Sequence, residues 1–135
     1  MSSPTLALPV TRAKAVAGSV LTALAVLFLT FDTGIKLLQL APAVQGTVAL
    51  GYPAGTVLWI GMVELVCVVL YLTPRTAVLG ALLLTGYLGG AIASHLRAGD
   101  PLFSHVLFPI YFALIVWGGL YLREPRLSAL VPFRR

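Results

Sequence analysis

The sequence predicts an all-α integral membrane protein, a four-helix bundle, and three observations carry that prediction. Of the 135 residues, 59% are hydrophobic and only 10% are charged, whereas a soluble domain usually carries about 25% charged residues. The mean hydropathy is +1.00. The apolar residues gather in four stretches, at about 15–38, 55–72, 76–96 and 102–122, each close to the ~20 residues that cross the hydrocarbon core of a bilayer. This composition excludes an ordinary water-soluble enzyme, a disordered chain and a coiled coil. Four crossings also leave no room for a second domain, so residues 1–135 are expected to form one.

Each stretch reads as a helix because lipid-facing backbone groups must be satisfied within the segment, and the alternation of a barrel strand is absent. The first follows a Ser/Pro-containing arm, Met1 to Thr11, and starts beside Arg12 and Lys14. It is not expected to be a cleaved signal peptide, since its small residues Ala23 and Ala25 fall inside the apolar run rather than after it. Ala41-Pro42 and Gly51-Tyr52-Pro53 frame the first loop, Thr73-Pro74-Arg75 makes the second turn, and Ala98-Gly99-Asp100-Pro101 the third. Pro109 lies inside the fourth stretch and is expected to kink it. The basic tail from Arg123 reads as a short interfacial helix whose arginines meet anionic lipid. No internal repeat of 20 to 50 residues is visible.

Charge sets the orientation. The net charge of +5 would point to nucleic acid in a soluble chain, but here it points to the cytoplasmic face of the bilayer, and no nucleic-acid partner is expected. Arg12, Lys14, Arg75, Arg123, Arg126, Arg134 and Arg135 fall on one side, leaving Arg97 and Lys36 for the other. By the positive-inside rule both termini face the cytoplasm, with Tyr71, Trp117 and Tyr121 as aromatics of the inner interface. The lone Cys67 forms no pair for thiol–disulfide exchange.

Ionisable groups inside a span are costly, and each is a functional candidate. Asp32, Lys36 and Gln39 share one stripe of the first span, with acid and base in the favourable i, i+4 order; a self-neutralised pair reaching the outer interface is the plainer reading. Glu64 lies near the middle of the second span, ~14 Å from its outer end, on a face with Val57, Ile60, Gly61, Cys67, Val68 and Tyr71. No partner comes from its own helix. Either it is a neutral carboxyl hydrogen-bonded between helices, or it pairs with Lys36, Arg97 or a histidine. In the predicted topology Asp32, Lys36, His95, Arg97, Asp100 and His105 all lie in the outer half, with Glu64 as the floor, which describes a polar crevice open outward. Asp32, Lys36, Glu64, His95, Arg97 and His105 are therefore the candidates for a ligand or proton site.

On the third span Gly86-x-x-x-Gly90, with Ser94 one turn on, forms a small-residue stripe that predicts close packing against another helix of the monomer, or secondarily a homo-oligomer. His95 and His105 do not sit where haem ligands would, the Glu-x-x-His spacing of di-iron bundles is missing, and no nucleophile elbow or phosphate loop appears. No metal and no catalytic residue is expected.

The chain resembles the DoxX-like membrane proteins from about Phe28 onward. The resemblance is carried by Asp32-x-x-x-Lys36, Leu50-Gly51-Tyr52-Pro53, Gly61-x-x-Glu64, Pro74-Arg75-Thr76-Ala77 leading into Gly80-Ala81, and Leu84-Thr85-Gly86-Tyr87-Leu88-Gly89-Gly90-Ala91 followed by His95. It implies a compact four-helix protein of the bacterial inner membrane, associated in some relatives with redox enzymes. On that basis a small membrane subunit or scaffold of a redox enzyme is expected rather than a stand-alone enzyme, with no cofactor of its own beyond contact with a quinone. A proton-coupled carrier, or a membrane protein that binds a lipophilic ligand through Glu64, is the alternative.

Overall fold

A computed structural model describes residues 11–130. Among these, helices alone are regular: α1 (Arg12–Leu37), α2 (Ala41–Ala49), α3 (Thr56–Leu72), α4 (Ala77–Ala98), α5 (Phe108–Arg123) and α6 (Pro125–Leu130). Among the described residues, three segments are long and apolar enough to cross a membrane: α1, α4 and the stretch Leu102–Arg123 that contains α5. The apolar α3 has 17 residues, about 26 Å of helix.

Local chemistry sets the boundaries. The Thr11 hydroxyl accepts from the Lys14 N–H at the start of α1, a standard N-cap. At its other end Gln39 adopts φ +53°, and the Leu40 N–H returns to the Ile35 carbonyl, closing the last turn in left-handed conformation. Gln39 therefore leaves the stripe of Asp32 and Lys36 and is exposed. The segment expected as a plain first loop carries α2, with Pro42 in its first turn where a missing N–H costs nothing. Gly51, at φ +88°, ends it. Gly99, at φ +76°, ends α4 in the same way.

Pro109 does not kink a continuous fourth helix. The Val106 and Leu107 N–H groups reach the Pro101 and Leu102 carbonyls five residues back, making one wide turn over Leu102–Val106, and Pro109 sits in the first turn of α5 beyond it. The break satisfies by a π-type turn the backbone that a proline deeper in a helix would orphan. Helix α6 starts where the Glu124 carboxylate accepts from the Arg126 N–H. Arg134 and Arg135 of the basic tail lie outside the described residues.

Helix α1 packs against α3 and α5, and α4 packs against the same two. Glycines decide where backbones approach. A Cβ on Gly80 would collide with the Leu70 and Tyr71 backbone of α3, and one on Gly119 would lie 2.7 Å from the Thr22 hydroxyl. A Cβ on Gly61 would lie 2.9 Å from the Lys36 Cβ, so this glycine lets α1 and α3 meet one turn away from Glu64. Such close approach is what holds helices together where lipid tails remove any hydrophobic drive between them. Leu29, Val68, Tyr71, Leu84, Val116 and Leu120 fill the core, while Leu27, Phe31, Trp59, Met62 and Leu114 point outward. The expectation for Tyr71 is corrected: it is buried, and its hydroxyl donates to the Val116 carbonyl at 2.9 Å, a tie between α3 and α5 rather than an interfacial anchor.

Candidate functional site

The buried face of α3 is Val57, Gly61, Glu64, Cys67, Val68 and Tyr71. Glu64 is fully buried on it, and the cation beside it comes from α1. The Lys36 ammonium donates to Asp32 Oδ2 at 2.5 Å, to Glu64 Oε2 at 2.8 Å and to the Tyr87 hydroxyl at 2.7 Å. Those three bonds use every N–H an ammonium has. Tyr87, from α4, donates its own proton to Glu64 Oε2 at 3.1 Å, and the Lys36 nitrogen lies 5.4 Å from its ring centre. Three helices thus meet at one closed set of hydrogen bonds, in which two carboxyl groups share one ammonium. Low dielectric strengthens such a set and also makes any unpaired member expensive. One member is unpaired: Glu64 Oε1 is buried and has no hydrogen-bond partner.

This set forms the floor of a cavity of about 620 Å³. Phe28, Phe108 and Phe112 form an aromatic side wall, with ring centres 4.9 Å apart for Phe28 and Phe112 and 5.7 Å for Phe28 and Phe108. Helix α2 covers the space with Pro42, Ala43, Gly46 and Thr47. Tyr52 and Ser94 close another side; Ser94 donates to the Gly90 carbonyl at 2.8 Å, so Tyr52 is the donor in the 2.7 Å bond between the two hydroxyls. Volume, apolar walls and a few convergent polar groups are the ordinary properties of a small-molecule site.

Of the other candidates, His95 lines the cavity, and its Nδ1 donates to Asp100 Oδ2 at 2.5 Å. His105 is exposed beyond it, its ring 5.8 Å from that of His95 and its Nδ1 2.7 Å from the Ser104 hydroxyl. Arg97 takes no part in the floor. Its guanidinium binds the Leu50 carbonyl and lies over Gly51, which pins the end of α2. Gly86 and Gly90 are placed otherwise than their spacing suggests. A Cβ on either meets nothing within 4 Å, and both line the cavity, so their missing side chains leave room there rather than admit another helix of the same chain.

Sequence reasoning overlooked Tyr87, Tyr52 and the aromatic wall as parts of the site. Tyr87 lies 23 residues from Glu64, and only its occurrence inside the Gly-rich motif of α4 could have drawn attention to it. The sequence profile of the DoxX-like family matches residues 20–119. The chain belongs to the DoxX-like family. No curated protein and no solved structure matches it. The matched span contains every group of the DoxX-like chain's cavity floor and its whole aromatic wall.

Proposed function

We propose that this DoxX-like protein binds a small amphipathic molecule within the membrane, in the cavity whose floor is Asp32, Lys36, Glu64 and Tyr87. The observation that carries the reading is the pairing of an apolar space of about 620 Å³ with a buried polar floor that leaves Glu64 Oε1 unpartnered. A site that existed only to neutralise charge would need neither the space nor the side-chain-free rim at Gly86 and Gly90. In this reading α1, α3, α4 and the Leu102–Arg123 stretch are four spans of one domain in a bacterial inner membrane. Both termini are cytoplasmic, and α2 covers the cavity on the outer side. The basic residues support that orientation.

A quinone meets an obstacle in this floor. Its ring oxygens only accept hydrogen bonds, and the Lys36 ammonium and Tyr87 hydroxyl are already committed to protein acceptors. Service to a redox enzyme, as a small subunit that delivers a bound molecule, is compatible with ligand binding and rests on the family resemblance. Binding is tested with the purified protein in phosphatidylcholine nanodiscs and the fluorescent probe N-phenyl-1-naphthylamine. Saturable binding above that of empty discs, lost in Gly90→Leu and kept in the outward-facing control Val69→Leu, supports the cavity. Binding no greater than in empty discs, or equal in both variants, overturns it.

A further inference from the structure

The chemistry of the floor selects among amphipathic molecules, and the selection rests on the binding role just proposed. The cavity's hydrogen-bond donors are nearly all committed. Lys36 and Tyr87 are occupied as described, Thr47 donates to the Ala43 carbonyl at 2.8 Å, Ser94 to Gly90 and Tyr52 to Ser94, and His95 Nδ1 to Asp100. What remains open is acceptor capacity. Glu64 Oε1 is unpartnered on a side chain of 0% exposure, and the cavity-lining Asp32 side chain, 28% exposed, is the acid of the floor that a ligand can reach.

The formal charges point the same way. Facing the floor are Asp32 and Lys36 from α1 and Glu64 from α3; α4 adds His95, which is paired with Asp100; the cavity-lining residues of α2 and α5 carry no charge. Two acids therefore face one ammonium, an excess of one negative charge in a space walled by Phe28, Phe108 and Phe112. Aromatic faces attract cations, more strongly where water is excluded, and buried charge persists only when it is paired.

We infer that the ligand is a lipophilic primary or secondary amine in its cationic form, its ammonium donating to Asp32, the part-exposed acid of the floor, beside Lys36 and next to the buried Glu64, and its apolar body lying against the three phenylalanines. One added positive charge brings the floor to formal neutrality. The same ammonium donates to the accessible Asp32 carboxylate, which an anion or a quinone cannot do.

Three probes of one shape separate charge from size: 4-phenylbutylamine, 4-phenylbutan-1-ol and 4-phenylbutyrate. Each is measured as radiolabel retained by the protein in zwitterionic phosphatidylcholine nanodiscs, with empty discs subtracted. A charge-assisted hydrogen bond predicts that the amine binds about tenfold or more tightly than the alcohol and that the butyrate is excluded. In Asp32→Asn and in Glu64→Gln that preference should fall to within about twofold, either variant sufficing should the other fail to fold. If alcohol and amine bind equally, or the butyrate binds best, the cationic assignment is overturned while the cavity stands. If no probe is retained and N-phenyl-1-naphthylamine is not retained either, the binding role falls with it.

Discussion

Removing the Lys36 ammonium while keeping its length, as Lys36→Met does, is the most informative perturbation of the fold. The substitution deletes all three bonds of 2.5, 2.8 and 2.7 Å at the floor. It leaves Glu64, with no exposed side-chain surface, facing Asp32 with no cation between them. Breaking a buried ion pair from one side costs about 3–5 kcal/mol, and the partial exposure of Asp32 argues for the lower end of that range, because a carboxylate that reaches water or lipid headgroups is partly resolvated. The cost arises from the orphaned acids rather than from lost attraction, so adding Glu64→Gln to Lys36→Met should recover most of it. Glu64→Gln alone should cost about 1 kcal/mol, since its amide can still meet Tyr87 and Lys36 keeps Asp32. The free energies come from reversible unfolding in detergent followed through tryptophan fluorescence, and the four proteins form a coupling cycle. Wild-type stability in Lys36→Met, or an additive double variant, would refute the shared-ammonium account.

Two further expectations concern packing and topology. Gly80→Ala should destabilise by about 1–3 kcal/mol through overpacking, because its Cβ has only the α3 backbone to meet, whereas Gly90→Leu should unfold like wild type and lose ligand; equal damage at both glycines would contradict the assignment of Gly90 to open space, and thermal unfolding in detergent decides it. Reporter fusions after Leu72 and after Arg135 should both behave as cytoplasmic, and a periplasmic signal from either would reverse the proposed orientation.

The helices and their polar positions were legible in the sequence for a physical reason: in a bilayer, length and hydropathy nearly determine a span, and an ionisable residue inside one stands out. The expected stretches therefore lie within a few residues of α1, α3, α4 and the Leu102–Arg123 segment. The sequence offers Lys36 as a partner for Glu64, but choosing it over Arg97 requires knowing which helices touch, and that depends on Gly61, whose small size is informative only once the crossing is seen. Helix α2 escaped notice because its nine residues include Pro42 and Gly46, both ordinary in loops. The same ambiguity affected α4, where a glycine that admits a neighbouring backbone, as Gly80 does, is indistinguishable in sequence from one that leaves space, as Gly86 and Gly90 do. Tyr71 and Tyr87 show it for aromatics: one ties two helices at a backbone carbonyl, the other completes an ion network, and neither role has a local sequence signal.

The central claim is that the space above Glu64 receives a ligand, and photolabelling tests it most directly. A diazirine-bearing phenylalkylamine is irradiated with the protein in nanodiscs, and the labelled residues are mapped by mass spectrometry. The account predicts saturable labelling of Phe28, Tyr87 and Phe112, competed by excess 4-phenylbutylamine and absent in Gly90→Leu. Labelling confined to outward-facing residues such as Val66 and Leu114, rising linearly with probe and insensitive to competitor, would contradict it.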